Sequence, residues 1–151
     1  MRMAARLRGG SVNQRKVVRI RPTVLLVDSD DNLRERMETA LERLDYRVLA
    51  AATGREAVQC LSSYGPADLT VLDVALPDVD GVRLAFRILA RRYTRRVLFV
   101  SDSCDDVVFL HPMLVRRVSF GGRRVPKEML AAIQQCVPAR SPAVRARVAG
   151  G

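Results

Sequence analysis

The chain of 151 residues carries 26 lysines and arginines against 16 acidic residues, a formal net charge of +10, and 48% of its residues are hydrophobic. This composition excludes a disordered or fibrous protein and supplies the core of one compact domain, whereas two ordinary domains would need a longer chain. The longest apolar runs, such as residues 97–100, fall far short of the roughly 20 residues that span a bilayer, so we expect no membrane insertion.

The first half of the folded region alternates short apolar strands with amphipathic helices. Runs rich in β-branched residues and leucine predict strands at 23–27 and 69–72, with a weaker strand at 47–51 between them. Apolar residues recur at helical spacing over 31–44 and again after Thr53, which predicts two helices.

The second half continues this alternation less regularly. After a turn at 77–81, apolar residues at helical spacing predict a third helix, and residues 97–100 are the fourth strand. The next helical pattern, 105–115, contains Pro112, which costs about 3 kcal/mol in a helix interior, so we expect this helix to be short, kinked or displaced. The last two predicted elements are a weak strand and a helix, at 118–120 and 126–136.

Five strands alternating with about five helices predict an α/β fold. Right-handed crossovers place such strands in parallel in one open sheet that helices cover on both sides. Sites in these sheets form at the carboxyl ends of the strands. Acidic residues at 28–31 follow the first strand, Asp73 ends the third and Ser101 follows the fourth. The sequence therefore predicts a site where several carboxylates converge.

The excess positive charge lies in the two ends of the sequence. Between residues 23 and 137, sixteen basic residues balance all sixteen acidic residues, whereas residues 1–22 and 138–151 are basic and lack apolar periodicity. We interpret these ends as flexible basic extensions of a neutral folded unit, 23–137, and do not expect that unit to bind nucleic acid.

Charge is also divided within the folded unit. Residues 23–82 carry twelve acids against five bases, and residues 83–127 carry eleven bases against three acids. The first half predicts a cation site, and the second predicts a docking surface for an acidic partner.

The three cysteines, Cys60, Cys104 and Cys136, are widely spaced and form no metal-ligand pattern with His111, the single histidine. We interpret them as reduced thiols of a cytoplasmic protein, two of them small core residues. The sequence has no glycine-rich phosphate loop and no recognisable nucleophile–histidine pair, so a stand-alone enzyme is not expected.

The most specific motif is Leu-Asp-Val-Ala-Leu-Pro-Asp-Val-Asp-Gly at residues 72–81. This string resembles the phosphoacceptor aspartate of response regulator receiver domains, followed by their proline-containing turn and the Asp-Gly start of a helix. The resemblance covers residues 23–137, and the spacing between Asp28 and Asp73 also fits it. It implies a flavodoxin-like (βα)5 fold, a doubly wound five-stranded parallel sheet with strand order 2-1-3-4-5.

The resemblance also implies a role for each residue of the site. Asp73 would accept a phosphoryl group from a histidine kinase or a phosphotransfer protein. Ser101 would hydrogen-bond that group, and burial of Phe120 would follow. Arg123 falls near the position of the family's lysine, although arginine and lysine are not interchangeable in a tight pocket. Lys127 instead lies within the last predicted helix.

A magnesium site is implied as well, because a carboxylate that attacks a phosphoryl group needs the negative charge neutralised. Its ligands would be Asp28, Asp30, Asp73 and the backbone carbonyl of Ala75. Ser29 stands where the family has a second adjacent acid, so we expect weakened Mg²⁺ binding. Asp30 either compensates as a ligand or caps the first helix.

Two hypotheses about function remain open, because Asp102 directly after Ser101 also opposes phosphorylation electrostatically. In the first, the protein is a single-domain response regulator in a two-component phosphorelay, phosphorylated on Asp73. It would signal to a protein partner through the face formed by the predicted helix at 105–115, the fifth strand and the last helix. A homodimer is a separate possibility. In the second, it is a degenerate receiver that acts as a phosphorylation-independent interaction module.

Overall fold

The structure is a computed structural model that describes residues 20–100, 118–121 and 126–139, the segment 118–121 by its backbone alone. The described residues from Arg21 onward belong to one compact unit. The predicted helix at 105–115 and nearly all of both predicted basic extensions lie outside the described residues. None of the described helices has the length and apolar character that crossing a membrane requires.

The described elements follow the predicted order, and their bounds agree with the predictions to within one or two residues. The strands are β1 (Thr23–Val27), β2 (Arg47–Ala51), β3 (Leu69–Asp73), β4 (Val97–Val100) and β5 (Val118–Gly121). The described helices are α1 (Asp31–Arg43), α2 (Gly54–Tyr64), α3 (Gly81–Ala90) and α4 (Pro126–Cys136).

The five strands form one parallel sheet in the order β2-β1-β3-β4-β5, which confirms the predicted fold. The strand order reverses between β1 and β3, since the chain moves outward from β1 to β2 and then returns to the other side of β1. Val27 at the end of β1 pairs with Leu72 of β3, and Asp73 pairs with Val100 of β4. The carboxyl ends of the three central strands therefore lie at one edge of the sheet.

Two apolar cores cover the two faces of the sheet. Leu25 and Val27 of β1 pack with α2 and α3 on one face. Val24 and Leu26, which alternate with them, pack with α1 and α4 on the other face. Both sets are almost fully buried, because helices cover each side of a parallel sheet.

Side-chain hydrogen bonds cap the N-termini of three helices. Asp30 caps α1 by accepting from the Leu33 amide at 3.1 Å. Thr53 caps α2 by accepting from the Glu56 amide at 3.1 Å. Asp80 caps α3 by accepting from the amides of Val82 and Arg83. These short polar side chains satisfy amides that have no partner within the helix.

Tyr46 joins the start of β2 to the end of α4. Its ring is fully buried, and its hydroxyl donates to the carbonyl oxygen of Val137 at 2.5 Å. Burial raises the pKa of the Tyr46 phenol, because the phenolate form would lose its hydration.

We expect Tyr46→Phe to lower the free energy of unfolding by about 1 kcal/mol, since the Val137 carbonyl loses its buried donor. The raised pKa means that the folded state holds the phenolic proton more tightly than the unfolded state. Wild-type stability should therefore fall as the pH rises through the usual tyrosine value of 10.0 and above. Urea unfolding at about pH 8 and about pH 11 measures both effects, the second pH lying above the ordinary phenol value.

The matched control is Tyr64→Phe, because Tyr64 is 60% exposed. The control should change stability by less than about 0.5 kcal/mol at either pH. An equal alkaline loss of stability in Tyr46→Phe and in the wild type would show that another group causes it.

Candidate functional site

Two buried aspartates lie side by side at the carboxyl edge of the sheet. Asp73 ends β3 and is 2% exposed, and Asp28 directly follows β1 and is 6% exposed. Both line one small pocket. The structure thus brings together the acids that the sequence placed at the ends of two separate strands. Two carboxylates at one edge favour a cation between them.

Backbone amides orient both carboxylates. Oδ1 of Asp73 accepts from the amide of Ala75 at 3.0 Å, and Oδ1 of Asp28 accepts from the amide of Asp30 at 2.9 Å. In each case the amide lies two residues further along the chain, which is the geometry of an Asx turn.

Asp30 serves as the cap of α1, one of the two roles that the sequence left open. Its Oδ1 accepts from the amide of Leu33, and its exposed side chain is not part of the pocket lining. Among the described residues, no group of three or more histidine, cysteine or acidic side chains is placed to hold a metal ion. The predicted ligand roles of Asp30 and of the Ala75 carbonyl stay predictions.

Asp78 anchors the loop after β3 to the start of α2. Its two carboxylate oxygens accept from the amides of Gly54 at 2.9 Å and Arg55 at 3.0 Å. These hydrogen bonds lower the pKa of Asp78, because they stabilise the ionised carboxylate. A Cβ on Gly54 would lie 2.2 Å from Cγ1 of Val79. The absence of a side chain at Gly54 therefore lets the loop that carries Asp78 and Val79 pack against the start of α2.

Gly81, the first residue of α3, lies directly against the backbone of Asp73. A Cβ on Gly81 would lie 2.7 Å from the carbonyl oxygen of Asp73 and 2.8 Å from Cα of Val74. The amide of Gly81 donates to the carbonyl of Val74 at 3.2 Å. Only glycine lets the helix begin this close to the end of β3.

Arg34 of α1 reaches back to the residues that follow β1. Its Nη1 donates to the backbone carbonyl of Asp28 at 2.7 Å, and its Nη2 donates to Oδ1 of Asp31 at 2.6 Å. The guanidinium is largely buried and lines the pocket together with Asp28 and Asp73. It therefore holds the turn that carries Asp28 and adds a positive charge near the two acids.

The sequence did not single out Arg34 or Asp78 as site residues. The Asp31–Arg34 pair has the three-residue spacing of a helical ion pair, which could have suggested a contact on α1. No local pattern could have linked Asp78 to Gly54, because the two residues are 24 positions apart.

Other predicted site residues lie outside the described residues. These are Ser101, Asp102 and Arg123. Phe120 lies in β5 opposite Phe99 of β4, and the structure describes its backbone only.

Two cysteines are free and half-buried, and each packs against one of the cores. Cys60 packs against the core under α2 and α3, and Cys136 against the core under α1 and α4. Burial and the nearby Glu56 carboxylate raise the pKa of the Cys60 thiol, which makes it a poor nucleophile. Cys104 lies outside the described residues.

Residues 24–115, more than half of the chain, match the family model of the response regulator receiver domain. The chain belongs to this family. It is a receiver domain of two-component signalling, and the family membership predicted from the 72–81 motif is confirmed. Receivers of this family act as signalling modules.

The named relatives agree with this assignment. The transcriptional regulatory protein AfsQ1 of Streptomyces coelicolor is 42% identical over 86 residues, which cover 57% of this chain and 37% of that protein. A CheY-like receiver domain protein from Methanospirillum hungatei is 24% identical, with a TM-score of 0.66 over 77% of this chain and 93% of that one. The receiver spans less than half the length of the first curated relatives that it matches.

One similar structure contains a metal complex. The response regulator TrrA of Thermotoga maritima, in complex with Mg²⁺ and BeF, is 19% identical, with a TM-score of 0.63 over 77% of this chain and 99% of that one. At this identity the likeness supports the shared fold, whereas the metal belongs to TrrA.

We expect Gly81→Ala to destabilise the receiver by about 1–3 kcal/mol, because the new methyl group would overlap backbone atoms of Asp73 and Val74. Glycine-to-alanine changes in helices normally stabilise them, by up to about 1 kcal/mol, so the sign of the change is diagnostic. Urea unfolding measures it. Arg83→Ala, on an exposed side chain of the same turn, is the control and should change stability by less than about 0.5 kcal/mol. A stabilised Gly81→Ala protein would contradict the close approach.

Proposed function

We propose that Asp73 accepts a phosphoryl group from a histidine kinase or a phosphotransfer protein and that the receiver then signals to a protein partner. The observation that carries this proposal is the burial of Asp73 at the strand-order reversal, beside Asp28 and held by the Ala75 amide. The family assignment supplies the reaction class. The proposal concerns the receiver unit, since the relatives are longer proteins.

The transfer is an in-line displacement at phosphorus. A carboxylate oxygen of Asp73 attacks the phosphorus of a phosphohistidine, the P–O bond forms as the P–N bond breaks, and the leaving imidazole keeps the electron pair and takes up a proton. The Ala75 amide holds the carboxylate in one orientation at 3.0 Å, which reduces the reorganisation that attack requires.

The residues of the pocket fit a bound Mg²⁺ ion. Asp28 and Asp73 supply two buried carboxylates that line the pocket, and carboxylate oxygens are hard donors of the kind that Mg²⁺ prefers. The backbone carbonyl of Ala75, two residues after Asp73, is the third ligand that we propose. When bound, the ion would neutralise the phosphoryl oxygens. Asp28 would hold the ion together with Asp73, and Arg34 would keep Asp28 in place by donating to its backbone carbonyl.

The protein partners follow from this chemistry. The donor carries a phosphohistidine, and the downstream partner would contact the surface that includes β5 and α4. We place both in the cytoplasm, in keeping with the free thiols of Cys60 and Cys136.

Incubation of the full chain with Mg²⁺ and acetyl phosphate tests the proposal. Intact mass should rise by about 80 Da, the mass of one phosphoryl group. Asp73→Asn should abolish the adduct, because the amide cannot attack phosphorus. Asp45→Asn, at a half-buried aspartate that does not line the pocket, should keep it. Chelation of the metal should also abolish it.

Two results would contradict this proposal. An adduct that persists in Asp73→Asn would place phosphorylation on another residue. No adduct from acetyl phosphate, phosphoramidate or a phosphorylated histidine kinase would leave the phosphorylation-independent interaction module as the function.

We further propose that Ser29 weakens Mg²⁺ binding, since this exposed hydroxyl stands directly after Asp28 and is neutral. Ser29→Asp should tighten Mg²⁺ binding at least about tenfold, because an added carboxylate near 4 Å gains about 4 kcal/mol per unit charge at an effective dielectric constant of 20, before desolvation. Isothermal titration calorimetry measures the dissociation constant.

Ser62→Asp is the matched control for this substitution, because Ser62 is an exposed serine on α2. It adds the same charge away from the pocket and should leave Mg²⁺ affinity unchanged within about twofold. Equal affinities of the wild type and Ser29→Asp would show that Ser29 does not limit the binding of the metal.

A further inference from the structure

Helix α1 carries a row of acids along its outer side. They are spaced four, three and four residues apart, so that they share one face of the helix opposite the buried Leu33, Met37 and Leu41. We call them the acidic stripe: Asp31, Glu35, Glu38 and Glu42. Three are exposed and Glu38 is half-buried. At 1.5 Å per residue the stripe extends about 16 Å.

Helix α3 carries a row of arginines, opposite in sign to the acidic stripe. Arg83, Arg87 and the capping residue Arg91 are four residues apart and exposed, and they form what we call the basic stripe. The helix contains no acidic residue, and the stripe extends about 12 Å. Within the part of the chain that the structure describes, no ion pair involves any of these three arginines. The two stripes are therefore comparable in length and opposite in sign.

The two stripes lie on opposite sides of the same sheet. α1 packs on the core that contains Val24 and Leu26 of β1, and α3 packs on the core that contains Leu25 and Val27. The sheet and both cores separate the stripes, so they cannot pair within one molecule. Pairing between molecules joins different surfaces and leaves one unpaired stripe at each end of the assembly.

We propose that a second copy of this chain docks its acidic stripe against the basic stripe of the first, forming head-to-tail assemblies. Charge complementarity between these surfaces identifies the occupant, because each copy supplies the partner that the other needs. Exposed ion pairs are individually weak, so the assembly forms only at high protein concentration and low ionic strength. Because head-to-tail contacts of this kind need not close into a ring, the assembly grows longer as the protein concentration rises.

Sedimentation velocity of the full chain tests this proposal over a range of protein concentrations. At low ionic strength the weight-average sedimentation coefficient should rise with concentration. At about 1 M salt it should stay at the monomer value, because the Debye length falls to about 3 Å. Nuclease treatment should change nothing. A monomer under all conditions, association that persists in high salt, or loss of association with nuclease would each overturn the proposal.

Charge reversal identifies the surfaces. Arg83→Glu with Arg87→Glu and Arg91→Glu should abolish association, and so should Glu35→Arg with Glu38→Arg and Glu42→Arg. A mixture of the two triple variants should associate again, because the reversed basic stripe of one then faces the reversed acidic stripe of the other.

The control variant is Arg47→Glu with Arg55→Glu, on exposed arginines outside both stripes, and it should associate like the wild type. Circular dichroism establishes that each variant is folded; if a charge reversal prevents folding, the same positions changed to glutamine should still abolish association. Unchanged association of the triple variant Arg83→Glu, Arg87→Glu and Arg91→Glu would assign the contact to the basic ends of the chain and overturn the proposal. A mixture that stays monomeric would also overturn it.

Discussion

The parallel pairing of β1 with β3 is the constraint on which the site depends. Because Val27 lies opposite Leu72, the residues that follow them, Asp28 and Asp73, lie at the same edge of the sheet. Two carboxylates this deeply buried are costly for the folded state. Backbone amides of Asp30 and Ala75 offset part of that cost, and the guanidinium of Arg34 lies in the same pocket. The pocket is therefore arranged around two buried acids at the carboxyl ends of neighbouring strands.

The loop after β3 links this charge to the helices on one side of the sheet. Gly81 lets α3 begin against the Asp73 carbonyl, and Asp78 fastens the middle of the loop to the first amides of α2. These contacts fix the loop after β3 against the starts of both α2 and α3.

Charge is organised by layer as well as by site. The acidic stripe of α1 faces solvent on one side of the sheet and the basic stripe of α3 on the other, while the buried acids lie between them at the sheet edge. The net charge of +10 conceals this pattern, because the folded unit is neutral and the excess belongs to its ends. The distribution of charge, rather than its sum, determines which partners the receiver can attract.

Local patterns in the sequence determined the elements, the caps and the pairing of acidic strand ends. Strand alternation, helical spacing and caps at Asp30, Thr53 and Asp80 involve residues within a few positions of one another. Asp28 and Asp73 were predictable as neighbours because the topology of parallel sheets brings strand ends together. The hydrogen bonds of Asp78 to the first amides of α2 and the Tyr46–Val137 hydrogen bond were decided by the tertiary structure alone. Their partners are 24 and 91 residues apart, and no local pattern records a contact that packing of distant elements creates.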